Sequence, residues 1–159
     1  MKNTVAVSEC QFLVLTAGVE KFWIRAAITS LCFELNLPVF VCDSQHVTAS
    51  CLQGIEAKLL SHSGQNARPR LLVAGCYLEE QVNISALHGL YLGFEVFLLK
   101  DFIIARNRIH TQVYDSRLFQ AGVVPSTLRQ LLYEWISSEE QPNRHAQLVQ
   151  MLALIEKTV

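Results

Sequence analysis

The sequence predicts an α/β protein: a three-layer α/β/α, doubly wound parallel sheet with an extra helix at the C-terminus. Three observations lead there. Short segments that are apolar throughout alternate with longer ones whose apolar residues recur at helical spacing, and such strands need cover on both faces. Hydrophobic residues make up 51% of the 159 and charged residues 17%, which fits doubly covered strands and excludes a disordered chain. Right-handed crossovers between parallel strands then give an open, doubly wound sheet.

The elements follow in order. Residues 12–15 form a short apolar run before Thr16-Ala17-Gly18, as in a buried strand ending at a turn. Over 19–36, Ile24, Ala27, Ile28, Leu31 and Leu35 mark a helix that Pro38 is expected to stop, and 38–42 read as the second strand. A helix is expected over 47–61, with Leu52, Ile55, Leu59 and Leu60 on one face and Gly54 weakening its middle. The polar stretch 61–69 is a loop, and 70–75 the third strand. Over 79–92, Val82, Ala86 and Leu90 form a helical stripe, with Glu79 and Glu80 complementing the dipole of the first turn and Gly93 as C-cap. Residues 95–100 and 122–124 supply the last two strands. Ser126 is placed as N-cap of a helix reaching Ile136.

A final helix over 143–157 aligns Leu148, Met151, Leu152 and Ile155, a stripe that its own domain or a partner must cover. The chain therefore divides into a domain over 1–137 and a helical extension over 138–159.

Composition restricts function. Thirteen Lys and Arg against 14 Asp and Glu give a net charge of −1, which argues against nucleic acid or anionic membrane as partner. No apolar stretch approaches the ~18 residues of a membrane helix, and the start of the chain lacks the apolar core of a signal peptide. Cys10, Cys32, Cys42, Cys51 and Cys76 form an odd set with no CxxC pair. A disulfide framework and a metal site are not expected, no cofactor is implied, and a reducing cytoplasm fits best.

Few residues stand out as chemical candidates. Cys76 lies at the carboxyl end of the third strand, where open α/β sheets bind ligands, although burial is the commoner fate of such a thiol. Cys42, Asp43 and His46 make a compact cluster at the end of the second strand, with Asp43 read mainly as a cap or turn former. Arg106, Arg108, His110 and Arg117 form the densest positive patch, read as a solvated loop before a site for an anion or an acidic partner.

The stretch Gly75-Cys76-Tyr77-Leu78-Glu79-Glu80-Gln81-Val82-Asn83-Ile84-Ser85-Ala86-Leu87-His88-Gly89 resembles the G-v-x-T-d-x-C-V-x-x-T-A-x-d-A pattern of the isochorismatase-like cysteine hydrolases. Gly93-Phe94-Glu95-Val96, Lys100-Asp101 and Gly122-Val123-Val124-Pro125-Ser126-Thr127 follow at that family's distances. The resemblance implies five parallel strands in the order 2-1-3-4-5 and a cis peptide between Cys76 and Tyr77. It also implies three catalytic positions, and this sequence fills none of them. Gln81 stands at the nucleophile position, where an amide cannot form an acyl intermediate. Ala17 stands at the aspartate position and cannot accept a proton. The segment that carries the lysine is missing between the second strand and the helix over 47–61.

The function expected is that of a catalytically inactive member acting through protein–protein interaction or self-association, since members of that family commonly form oligomers. One alternative is a small-molecule binding module using a remnant pocket of Cys76, Tyr77, Gln81 and Asn83. Another is an amide hydrolase with a site rebuilt around Cys76 or Cys42.

Overall fold

The computed structural model describes residues 6–16, 22–43, 53–54, 56–57 and 69–157. Ala17 and His46 lie outside the described residues, as does all but 53–54 and 56–57 of the helix expected over 47–61. The strands are β1 (Cys10–Leu15), β2 (Val39–Cys42), β3 (Arg70–Cys76), β4 (Glu95–Ile104) and β5 (Val124–Ser126). The described helices are α1 (Phe22–Leu35), α2 (Asn83–Tyr91), α3 (Arg108–Ala121), α4 (Leu128–Ser138) and α5 (Pro142–Lys157). All strand pairs are parallel and the sheet order is β2-β1-β3-β4-β5, as the resemblance implied.

Successive strand residues point to opposite faces, and both faces are covered. Phe12, Val14, Leu72, Ala74, Phe97 and Leu99 point to the side of α1, α4 and α5, where Ile24, Ile28, Leu131, Leu132 and Trp135 complete one core. Leu13, Leu15, Leu71, Val73, Val96 and Leu98 point the other way, onto Val82, Ala86 and Leu118. This two-sided burial explains why the strands read as continuous apolar runs. Phe12 and Trp135 meet edge to face, 6.5 Å between centroids.

The stripe on α5 is covered by its own chain. Leu148 is fully buried, and Met151, Leu152 and Ile155 pack on the same core as α4. Pro142 begins the helix, where its missing N–H costs no hydrogen bond.

Several boundaries differ from expectation for local reasons. α1 stops at Leu35, ahead of Pro38, because Asn36 turns left-handed (φ 54°) and the Leu37 amide bonds back to the Cys32 carbonyl at 2.8 Å. The helix expected from Glu79 begins instead as one wide turn, Leu78–Val82, in which the Tyr77 carbonyl accepts from the Val82 amide at 3.2 Å. β4 runs on to Ile104 through a bulge: between the pairs Val73–Leu98 and Gly75–Ile103, four residues of β4 (99–102) pass one of β3 (Ala74). Gly122, expected to open the fifth strand, is the left-handed residue ending α3 (φ 108°), and β5 starts two residues later. The N-cap of α4 is Thr127, whose hydroxyl accepts from the Gln130 amide at 3.2 Å, while Ser126 belongs to β5.

Gly75 fixes how closely β1 and β3 approach. Its φ is +121°, and a Cβ there would stand 1.9 Å from the Leu15 carbonyl oxygen. Gly75→Ala is expected to cost about 3 kcal/mol or more in urea unfolding, since the obstacle is backbone rather than a movable side chain. Leu148→Ala should cost about 3 kcal/mol by the same measurement, as for a cavity opened in a core. A loss below about 1 kcal/mol would show that α5 is not part of that core.

Candidate functional site

The carboxyl edge of the sheet carries the residues the sequence singled out. Leu15 pairs with Cys42 on one side and Gly75 on the other, so Thr16 is flanked by Asp43 and Cys76. Parallel strands lie roughly 4.8 Å apart, which puts the Asp43 and Cys76 backbones roughly 10 Å from each other, with β1 between.

Asp43 is committed locally. It accepts a hydrogen bond from the buried Thr16 hydroxyl and is gripped by the Arg25 guanidinium at 3.3 and 3.2 Å to its two oxygens. The Thr16 amide donates to the Cys42 carbonyl at 2.9 Å. Asp43 thus ties the ends of β1 and β2 to α1, and the turn expected after it lies outside the described residues. Cys42 points to the other face and packs against the second core.

Cys76 is 2% exposed and belongs to the core shared with α1 and α4. The peptide bond joining it to Tyr77 is cis, the geometry implied by the resemblance. Cys10, Cys32 and Cys42 form no disulfide, and burial pushes the Cys32 thiol up to about 12, keeping it unreactive.

Gln81 sits in the wide turn at 2% exposure, and its Oε1 accepts from the Tyr77 amide at 3.4 Å. Two residues on, Asn83 opens α2 at 8% exposure with its Oδ1 unsatisfied, and Ser85 Oγ is buried likewise. Cys76, Tyr77, Gln81 and Asn83 are therefore neighbours along one turn, with three of the four buried. Among the described residues, no group of three His, Cys, Asp or Glu side chains is placed to hold a metal ion. No described helix is long and apolar enough to cross a membrane.

The charged residues of this edge have structural partners that the sequence did not reveal. Glu79 and Glu80 stand in the first turn as expected, and the Glu79 carboxylate also accepts from the Arg106 backbone amide at 2.8 and 3.1 Å. Glu80 pairs with the Arg106 guanidinium, which lies 4.0 Å above the Tyr77 ring. The end of β4 is thereby fastened to the turn after β3. Within the β4 bulge, consecutive residues face opposite ways. Lys100 reaches Asp115 on α3 at 2.6 and 2.7 Å, and Asp101 accepts from the Leu128 amide at the start of α4 at 3.1 and 3.3 Å.

Arg108, His110 and Arg117, expected in a loop, stand on α3. Asn107 caps that helix by accepting from the Ile109 amide at 3.0 Å. An Asn ahead of such a segment is a helix-start signal, but the exposed Ile109 and Val113 break the apolar stripe that would have supported it.

Desolvation raises the Asp101 carboxyl above its ordinary 3.8, against the lowering effect of the Leu128 amide. A raised carboxyl makes a contribution that is complete below the unfolded pKa and is lost as pH rises through the folded one. Asp101→Asn keeps an acceptor for Leu128 and removes the charge. Its stability relative to the parent, measured by denaturant titration, should therefore grow as pH rises past the ordinary 3.8 and through the raised folded-state pKa. A difference that stays flat or shrinks would contradict this.

No family model and no curated protein matches the sequence. Solved structures do. The MAR1 ribonuclease of Caenorhabditis elegans superposes with a TM-score of 0.71 at 14% identity, over 95% of this chain and 92% of that one. The YcaC gene product of Escherichia coli, an octameric hydrolase of unknown specificity, gives 0.67 at 14% identity, over 100% and 99%. The pyrazinamidase of Pyrococcus horikoshii, solved in complex with zinc, gives 0.57 at 14% identity, over 76% and 99%. With the sheet order and the turn after β3 in place, the chain carries the fold of the isochorismatase-like hydrolases.

Proposed function

We propose that this chain is a catalytically inactive version of that hydrolase fold and works by contact with another protein or with further copies of itself. The observation that carries the proposal is Gln81. It occupies the position the resemblance assigns to the nucleophile, buried in the turn after the cis peptide, yet its side chain is an amide. Asp43, the acid at this edge of β2, is occupied by Thr16 and Arg25. Cys76 packs into the core shared with α1 and α4 at 2% exposure.

Support for association comes from the surface. On α1, Trp23, Ala26, Ser30 and Phe33 share one exposed stripe, with Trp23 52% and Phe33 88% exposed. On α3, Ile109 and Val113 stand one turn apart at 81% and 64%. Large exposed apolar side chains grouped on a helix are typical of association surfaces. The octameric state of the Escherichia coli protein of the same fold points the same way. In this reading the described thiols stay reduced, in keeping with a cytoplasmic setting.

Incubation with nicotinamide, pyrazinamide or an N-carbamoyl amino acid should release no ammonia above buffer, and Cys76→Ala should change nothing. Ammonia release that disappears in Cys76→Ala would overturn the inactive reading. Light scattering should give a mass that is a multiple of 17.9 kDa. A strict monomer at micromolar concentration would end the self-association half and leave a different protein as partner.

A further inference from the structure

We propose that the cavity between the β4 bulge, the start of α3 and the turn after β3 binds a small organic anion, with its oxyanion head at Arg108 and its apolar body against Leu78, Ile103 and Ile104. The cavity has a volume of about 440 Å3, within the usual range for a small-molecule site, and is lined also by Lys100 and Thr111. It lies beside β4, at the carboxyl end of the sheet where α/β folds place ligands, and it shares none of Cys76, Tyr77, Gln81 or Asn83.

The charges in and around this cavity select the ligand. Lys100 is neutralised by Asp115, and Arg106 next to the lining is held by Glu80 and stacked on Tyr77. Among the described residues, Arg108 is the lining cation with no ion-pair partner. Asn107 already satisfies the Ile109 amide, so Arg108, rather than the helix end, supplies the attraction. A guanidinium offers paired N–H donors that match a carboxylate or phosphate. Thr111, on the same side of the first turn, adds a hydroxyl that can donate to the same oxyanion. Leu78, Ile103 and Ile104 give this otherwise polar cavity an apolar side, which favours an organic anion with an aromatic or aliphatic body.

The walls are held independently of any ligand. Glu79 fastens the Arg106 amide, fixing Ala105 and Ile104 relative to Leu78, and the Lys100–Asp115 pair fixes β4 relative to α3. The cavity is therefore preformed, and binding need not order it. The proposal does not depend on the absence of hydrolysis, since Leu78 is the one residue of the turn carrying Gln81 that lines the cavity.

The test follows the methyl resonances of Leu78, Ile103 and Ile104 by NMR during titration of the intact chain. Phenyl phosphate and phenylacetate should shift them saturably, with phenylacetamide and inorganic phosphate at least ~tenfold weaker. Arg108→Gln should weaken both organic anions ~tenfold or more and leave phenylacetamide unchanged, with the rest of the spectrum preserved. Arg117→Gln, which changes a cation of the same helix outside the lining, should bind as the parent does. Equal affinity for phenylacetamide, unaltered binding by Arg108→Gln, or no saturable shift up to about 10 mM ligand would overturn the proposal. Inorganic phosphate binding as tightly as phenyl phosphate would overturn the apolar half of it. Whether phenyl phosphate or phenylacetate binds more tightly identifies the preferred head group.

Discussion

The contact on which the carboxyl edge depends is the approach of the Leu15 backbone to Gly75. No side chain separates the two strands there, because a Cβ on Gly75 would overlap the Leu15 carbonyl. β1 and β3 stay in register from Cys10 and Arg70 up to this point. Thr16 is consequently delivered between Asp43 and Cys76, and β3 can pass at once into the cis peptide and the wide turn bearing Gln81. Widening that contact would shift Thr16 off Asp43 and change the entry into α2 together. One achiral residue thus sets the geometry of an edge shared by three strands.

Two of the scarce carboxylates fasten distant backbone amides and a third fastens a hydroxyl. Glu79 holds the Arg106 amide, Asp101 holds the Leu128 amide, and Asp43 holds Thr16. An amide at the end of a strand or the start of a helix has no partner in the ladder, and a carboxylate is a strong acceptor for it. Each carboxylate joins two elements distant in sequence, so its energy goes into relative placement. Pairing of this kind at partly exposed positions is worth little as a bare ion pair. Its value lies in directing the β4 bulge and its neighbours.

The sequence made the sheet legible and left the edge chemistry largely hidden. Strands buried on both faces leave an unbroken apolar signature, and residues 12–15, 70–75 and 95–100 were readable for that reason. Helices with a single buried stripe, such as α5 with Leu148, were equally clear. Periodicity does not mark α3, because Ile109 and Val113 face outward and only Leu118 is fully buried. The β4 bulge left no trace either, since what sends Lys100 to α3 and Asp101 to α4 is the position of two helices. Motif order located Gln81 and the cis bond through resemblance. Motif order was silent on the partners of Glu79, Glu80 and Asp43, which are set by contacts 26 or 27 residues away.

The distribution of charge along the carboxyl edge bears on what the fold can do here. Arg25 and Asp43 lie at the β2 end, and Glu79, Glu80, Arg106, Lys100 and Asp115 lie toward β4. Between them, the described residues Thr16, Cys76 and Gln81 carry no formal charge and are buried. Attack on an amide by a side-chain nucleophile requires a base within hydrogen-bond reach and groups that stabilise developing negative charge at one shared point. Acids and bases separated to the two flanks, each closed in its own pair, leave the described centre without that convergence. The flank toward β4 differs from the centre in one respect: among the described residues, Arg108 keeps its charge unpaired beside a cavity that Leu78, Ile103 and Ile104 also line. On the reading proposed above, the chemistry of this edge is recognition at β4.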